Sequence, residues 1–430
     1  MADPLLRAPS PGPDWDDLDG PIGEESLVED IRISQAFIDK LRDASLDNSG
    51  LSEEVLERLQ NPIEGPPDID DPDIRLAIRF WIESLEVGQD NYHKSRDAVL
   101  ERHPDDPIPT YHQIQRIIVD QTGVGSIVHD MCVNSCIAYT GPFSALNECL
   151  HCQEPRYDQI AFEASHGTLQ KPRRKFHTIP LGPQLQALWR TPSGAENMRY
   201  RSQRTEEILE ELEASDGINN VYDDFLHGSD YLEAVANGHI TSNDMVLLLS
   251  IDGAQLYASK QSDCWIYIWV VFDLSPDKRY KKKHVLVGGF IPGPNNPKNV
   301  DSYVFPGLLH LAGLQKEGLR VWDALRNRVF TSRPFLVFVT GDGPGIAHLS
   351  GFVGPTGAYG CRLYCDVKGR RKAGEKRYYP ALQKPDNYTV SGCDHDDILP
   401  GDISGGSAEE YDINLTYLWA SQNVTQFKKN

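Results

Sequence analysis

The run of five apolar residues Met245–Leu249, within MVLLLSIDGAQLY, constrains the fold of this chain more than any other stretch. Such a run predicts a strand buried on both faces, with Asp252 at its exit and Gly253 breaking it. Strands continue after it. Cys264–Leu274 (CWIYIWVVFDL) is aromatic and β-branched throughout, which suits a pleated sheet. His284–Ile291 (HVLVGGFI) predicts a third strand, its glycines pointing to a bulge or close packing. Pro306–Arg326 then sets Leu308, Leu311, Ala312, Leu319 and Trp322 on one helical face. Phe335–Thr340 (FLVFVT) reads as a fourth, buried strand that ends at Gly341-Asp342-Gly343-Pro344.

The succession is β–β–β–α–β, with an aspartate leaving the first strand and another leaving the fourth. For either aspartate alone, a strand-to-turn Asp-Gly pair is the plainer reading. The order of elements changes that. The expected fold class is α+β or α/β, a ribonuclease-H-like domain in which the first and fourth strands are neighbours. Asp252 and Asp342 would then converge, and two carboxylates at strand ends suit Mg2+ or Mn2+. Such a pair serves phosphodiester chemistry by activating the attacking oxygen and stabilising the leaving one.

Upstream lies the most specific local motif, MCVNSCIAYTGPFSALNECLHCQ. Cys132, Cys136, Cys149 and Cys152 have the spacing C-x3-C-x12-C-x2-C, two close pairs able to close a tetrahedral Zn2+ site. Four protein ligands leave no place for substrate, so the expected role is structural. Cys361, Cys365, Cys393 and His395 form a weaker candidate second zinc set. Its alternative is a pair of ordinary thiols and a loop histidine. Nothing in the N-terminus resembles an export signal, which favours metal ligation over disulfides.

The formal net charge of −21 argues against nucleic acid as a partner only when taken whole. Residues 1–100 hold 24 Asp/Glu against 9 Lys/Arg, so most of the excess sits there. Elsewhere stand compact basic runs at Lys171–Lys175, Lys278–His284 and Lys368–Arg377. Of these, Lys281, Lys282 and Lys283, and Arg370, Arg371 and Lys372, are the candidate phosphate contacts; a solvated loop is the alternative for each. The mixture of basic residues with Phe176, Trp189 and Tyr200 along Lys171–Arg204 is a weaker signal of the same kind. No apolar run is long enough to span a bilayer, so no membrane is expected as a partner.

These residues resemble the transposases of CACTA-type (En/Spm-like) DNA transposons, in the version found in mushroom-forming fungi. The resemblance rests on DMCVNSCIAYTGPFSALNECLHCQEPRYD, IPLGPQLQALWR, the stretch from Met245 to Ser302, and TGDGPGIAHLSGFVGPTGAYGCRLYC. It implies a nuclease that cuts transposon ends and joins them to target DNA, resident in the nucleus with its substrate. It also implies a triad of two aspartates and a glutamate, of which Asp252 and Asp342 match the aspartates. The third carboxylate has no candidate here, and family members are longer. The chain therefore reads as an N-terminal portion with weak or no activity, or alternatively as a catalytically inert DNA- or protein-binding module. Homo-oligomerisation is left open. The expected domains are a disordered acidic tail (1–25), an acidic helical region (26–125), a four-cysteine zinc module (126–165), a basic helical linker (166–240) and an incomplete catalytic domain (241–430), with the Cys/His insertion at 361–395.

Overall fold

The computed structural model describes residues 26–67, 69–219, 221–255 and 263–350, and beyond these only 354, 356–360, 367–371, 374–379, 381–384, 397–403, 413, 416–421 and 423–427. In chain order the strands are β1 (Ile127–Asp130), β2 (Lys175–Thr178), β3 (Val246–Gln255), β4 (Asp263–Val271), β5 (Leu286–Pro292), β6 (Leu319–Asp323), β7 (Arg328–Ser332) and β8 (Phe335–Gly341). Six of them form one sheet in the order β1-β2-β5-β4-β3-β8, while β6 and β7 make a separate hairpin. Every neighbouring pair in the sheet is antiparallel except β3 and β8, which run parallel.

The apolar run of β3 explains its central place, because the two faces of the strand serve two cores. Leu247, Leu249 and Ile251 pack with Trp265, Tyr267, Trp269 and Val271 of β4. Helices α7 (Leu181–Trp189) and α12 (Asp301–Glu317) cover that face with Leu181, Leu185, Trp189, Tyr303, Leu311 and Leu314. Val246 faces the other way, into a smaller cluster with Phe272 and with Ile208 of α9 (Tyr200–Ala214) and Tyr231 of α10 (Ser229–Ala236). The glycines of β5 do both things expected of them. The register with β4 shifts between Tyr267 and Ile268, and a Cβ on Gly288 or Gly289 would strike the Tyr267 ring at 2.1 or 2.5 Å.

Ahead of the sheet come α1 (Glu29–Arg42), α2 (Glu53–Gln60), α3 (Pro72–Val87), α4 (Gln89–Arg102) and α5 (Tyr111–Thr122). Their starts follow ordinary capping chemistry. Ser52 caps α2, Asp71 caps α3 ahead of Pro72, and Thr110 with Gln113 closes a capping box on α5. Ala77, Tyr92, Ile108 and Ile114 give α3–α5 a core of their own.

Lys40–Ser350 forms one compact unit, and the residues before and after it form another. The second unit takes in most of α1, and after residue 350 its described features include a two-stranded pairing of Arg370–Arg371 with Tyr378–Tyr379, a 3-10 turn at Pro400–Asp402 and a short helix at Val424–Phe427.

Two expectations fail for identifiable reasons. Gly253 does not break β3, whose pairing with β4 continues to Gln255. Gly253 lies opposite Trp265, and a Cβ there would sit 3.1 Å from the indole, so glycine makes room for a cross-strand ring. The helix expected to reach Arg326 ends at Glu317, where Gly318 takes φ 85°. Leu319 and Trp322 belong instead to β6, and the β6–β7 hairpin turns back through Asn327 at φ 52°. Of the basic and aromatic residues of Lys171–Arg204, Phe176, Trp189, Arg190, Arg199 and Arg201 are buried, while Lys171, Arg173 and Lys175 are exposed. Arg199 pairs with Asp323 and Arg201 with Asp273, while Arg279 pairs with Asp224.

Candidate functional site

Two pairs of cysteines meet as the spacing predicts. The sulfurs of Cys132, Cys136, Cys149 and Cys152 all lie within 4.8 Å of one another. Each pair sits on a tight turn closed by an antiparallel bridge, Met131 with Ala138 and Glu148 with Pro155. Each turn also passes through a left-handed residue, Ser135 at φ 60° and Gln153 at φ 59°. Inside the first turn, the Asn134 N–H donates to Cys132 Sγ (3.4 Å) and the Asn134 side-chain amide donates to Cys152 Sγ (3.6 Å). Donors aimed at sulfur favour thiolate. Burial pushes Cys149 up to about 11 and raises Cys136 further. Burial acts the same way on Cys152, but the Glu154 N–H and the Asn134 amide outweigh it and bring that thiol down to about 7. Four soft donors at this separation fit one tetrahedral ion, whose sulfurs stand about 3.8 Å apart when each is ~2.3 Å from Zn2+. The quartet can therefore hold a metal.

This cluster is tied into the sheet. Arg156 pairs with Asp130 at the end of β1 (2.7 Å), and its guanidinium lies 4.8 Å from the centre of the Tyr139 ring. The backbone N–H groups of Lys298 and Asn299 both donate to the Cys136 carbonyl. Ser302, in the first turn of α12, accepts from the Ala138 N–H.

The two aspartates leave neighbouring strands, a different route to proximity. In the parallel β3–β8 pairing, Ser250 lies opposite Thr340 and Ile251 opposite Gly341. Asp252 and Asp342 are the next residues on strands that run about 4.8 Å apart. Both are exposed. Asp252 is held on its other side by pairing with Ile266 of β4. Asp342 leads into α13 (Gly343–Ser350), where its Oδ1 accepts from the Gly345 N–H (2.6 Å) and its carbonyl from the Ile346 N–H. Two hard oxygen donors at one place suit a hard divalent cation. Among the described residues the cysteines are the only set of three or more metal-ligand side chains brought together, so no third ligand joins the aspartates there.

The lysine run of the β4–β5 connection is not assembled around that pair. Lys281, Lys282 and Lys283 are exposed in the β4–β5 connection, which follows α11 (Pro276–Arg279). That connection lies at the end of the sheet where β3 begins, opposite the end holding Asp252. Lys282 reaches Glu86 at 3.9 Å. Arg370 is buried, and its guanidinium donates to the carbonyls of Ala381 and Leu382 and to Asp397. Arg371 lies over the Tyr378 ring. Lys372 and the candidate second zinc set, Cys361, Cys365, Cys393 and His395, lie outside the described residues.

Sequence reasoning missed β1 and β2, which carry the sheet across to the cysteine cluster. Each has only four residues. The signal in KFHT is nonetheless present, because Lys175 and His177 are exposed while Phe176 and Thr178 are buried. Among the described residues no helix is long and apolar enough to cross a membrane. No curated protein matches the chain. Residues 236–381, the stretch that contains β3 to β8 and both aspartates, match the family model described as "Transposase family tnp2", and this segment is thereby similar to a transposase domain.

Proposed function

We propose that the chain is part of a CACTA-type DNA transposase, of the version found in mushroom-forming fungi, acting on DNA in the nucleus. Its sheet is read as a ribonuclease-H-like core, with strand order β5-β4-β3-β8 and one parallel pair. The observation that carries this reading is the β3–β8 register, which brings together two aspartates separated by 90 positions. Asp252 and Asp342 would hold Mg2+ or Mn2+, which supplies charge stabilisation to an attacked phosphodiester. The chain's own part is positional: β4 fixes the backbone of Asp252, and the Gly345 N–H orients Asp342. Cys132, Cys136, Cys149 and Cys152 would hold Zn2+ as a structural ion. Lys281–Lys283 would contact DNA away from the carboxylates.

A second reading has one observation in its favour, the lack of a third metal ligand beside the aspartates among the described residues. On that reading the chain binds DNA without cutting it. Purified protein mixed with transposon-end DNA and Mg2+ or Mn2+ separates the two. The first predicts cleavage abolished by Asp252→Asn; a gel shift with no cleavage supports the second. Cleavage that survives Asp252→Asn overturns the assignment of the site.

A further inference from the structure

One row of residues crosses the sheet on a single face, starting at Asp252. Asp252 lies opposite Ile266 on β4, Ile266 opposite Phe290 on β5, Phe290 opposite His177 on β2, and His177 opposite Val128 on β1. Directly opposed residues point to the same side of a sheet. This side is open here. Phe290 is 41% exposed and Val128 47%, His177 is exposed and Ile266 half-buried. Lys175, two residues before His177 on the same side of β2, is exposed and makes no ion pair among the described residues. The acid opposite it, Asp130, is engaged by Arg156.

We propose that this row is a binding platform for single-stranded DNA that leads an unpaired end to the aspartate pair. It rests on the nuclease reading above only for its destination. The chemistry of the row selects the ligand. An exposed ring on an open sheet offers an unpaired base a stacking surface, and the Lys175 ammonium offers a contact to its backbone. Phe290 stands two strand spacings from Asp252, about 10 Å, and His177 three, about 14 Å. A strand whose reacting phosphate lies at the aspartates therefore passes over both within a few nucleotides. A duplex keeps its bases paired and cannot stack on Phe290.

The test is fluorescence anisotropy of the full chain with a labelled mixed-sequence 15-nucleotide DNA, in buffer without Mg2+, Mn2+ or chelator, so that the aspartates receive no added metal while the cysteine cluster keeps its ion. Phe290→Ala is expected to weaken binding about tenfold, while Phe290→Trp keeps wild-type affinity, which separates a lost ring from a damaged sheet. Lys175→Ala is expected to lower the slope of log affinity against log salt by about 0.7. Equal affinity for the same sequence as a duplex, or affinity unmoved by Phe290→Ala, overturns the platform. Cleavage read separately in Mg2+ tells the two proposals apart. Phe290-dependent binding without cleavage sinks the nuclease and leaves the platform; Asp252-dependent cleavage by a protein indifferent to Phe290→Ala does the reverse.

Discussion

The cysteine cluster and the aspartate pair are two ways of gathering ligands. The cysteines span 21 residues, from Cys132 to Cys152, and come together through two local turns. Three of the four are buried, and N–H groups point at the sulfurs. The aspartates stand 90 positions apart, are exposed, and meet only because β8 pairs parallel to β3. A local, closed site gains its stability from its ion. An open site built by topology is a place where a substrate can finish the coordination. On the proposed reading, metal binding would count as folding energy in the first case and as activity in the second.

The largest expected effect breaks the first half of that contrast. Structural Zn2+ in small cysteine sites carries about 10–16 kcal/mol of apparent binding energy. Stripping metal with a strong chelator, or Cys149→Ser, should lower the melting temperature by about 10 °C or more. Differential scanning fluorimetry with metal analysis checks this; an unchanged melting temperature at zero metal content would mean the cluster is not structural.

The second half is tested by Asp252→Asn. Cleavage of end DNA should fall by about a hundredfold or more, as expected when a group stabilising the transition state is removed. Stability should move by less than about 0.5 kcal/mol, because the side chain is exposed. Single-turnover assays beside thermal melts would show whether activity and stability separate.

Acid should sharpen the contrast next. Burial lowers His129, whose ring bonds Thr178 Oγ1, to about 4, and lowers His310, which accepts from the Gly182 N–H, to about 4. Both are depressed below the unfolded value of about 6.5, so the unfolded chain binds more protons between the two values. Stability is full above about pH 6.5 and falls by on the order of a few kcal/mol as pH drops toward 4. Urea titrations at pH 7.5 and 5 measure it, and His310→Gln should flatten the slope.

Arg156→Ala comes below these. It releases the cysteine region from Asp130 and from the Tyr139 ring, at a cost of about 1–3 kcal/mol. Metal stoichiometry should stay unchanged, because Arg156 contacts none of the sulfurs. The smallest effect belongs to Lys282→Ala, which removes an exposed 3.9 Å pair with Glu86 and should change stability by less than about 1 kcal/mol.

The same contrast governs what could be read from the sequence. The cysteine site was legible because its geometry is encoded within a few residues of each ligand. The neighbourhood of β3 and β8 was legible only through the order of strands, since neither Asp252 nor Asp342 carries a local signature. Errors fell where a residue's neighbours are distant in the chain. Gly253 reads as a strand breaker until Trp265 is placed across from it. Leu319 and Trp322 fit a helical face, and only the stop at Gly318 and the pairing with β7 make them strand. Arg279 and Arg370 stand in basic runs, yet Asp224 and Asp397 hold them inside. Charge runs along a sequence do not say which members are already spoken for.

The glycine beneath Trp265 has one more consequence. In extended chain, sliding β3 by one residue against β4 would bring Asp252 or Ala254 under the indole, and the ring would meet a side chain where it now meets none. The same slide would swing the carboxylate of Asp252 from the wet side of the sheet into its greasy interior. Gly253 and Trp265 thus act together as a registration pin, and Gly253→Val would displace the acid without altering it.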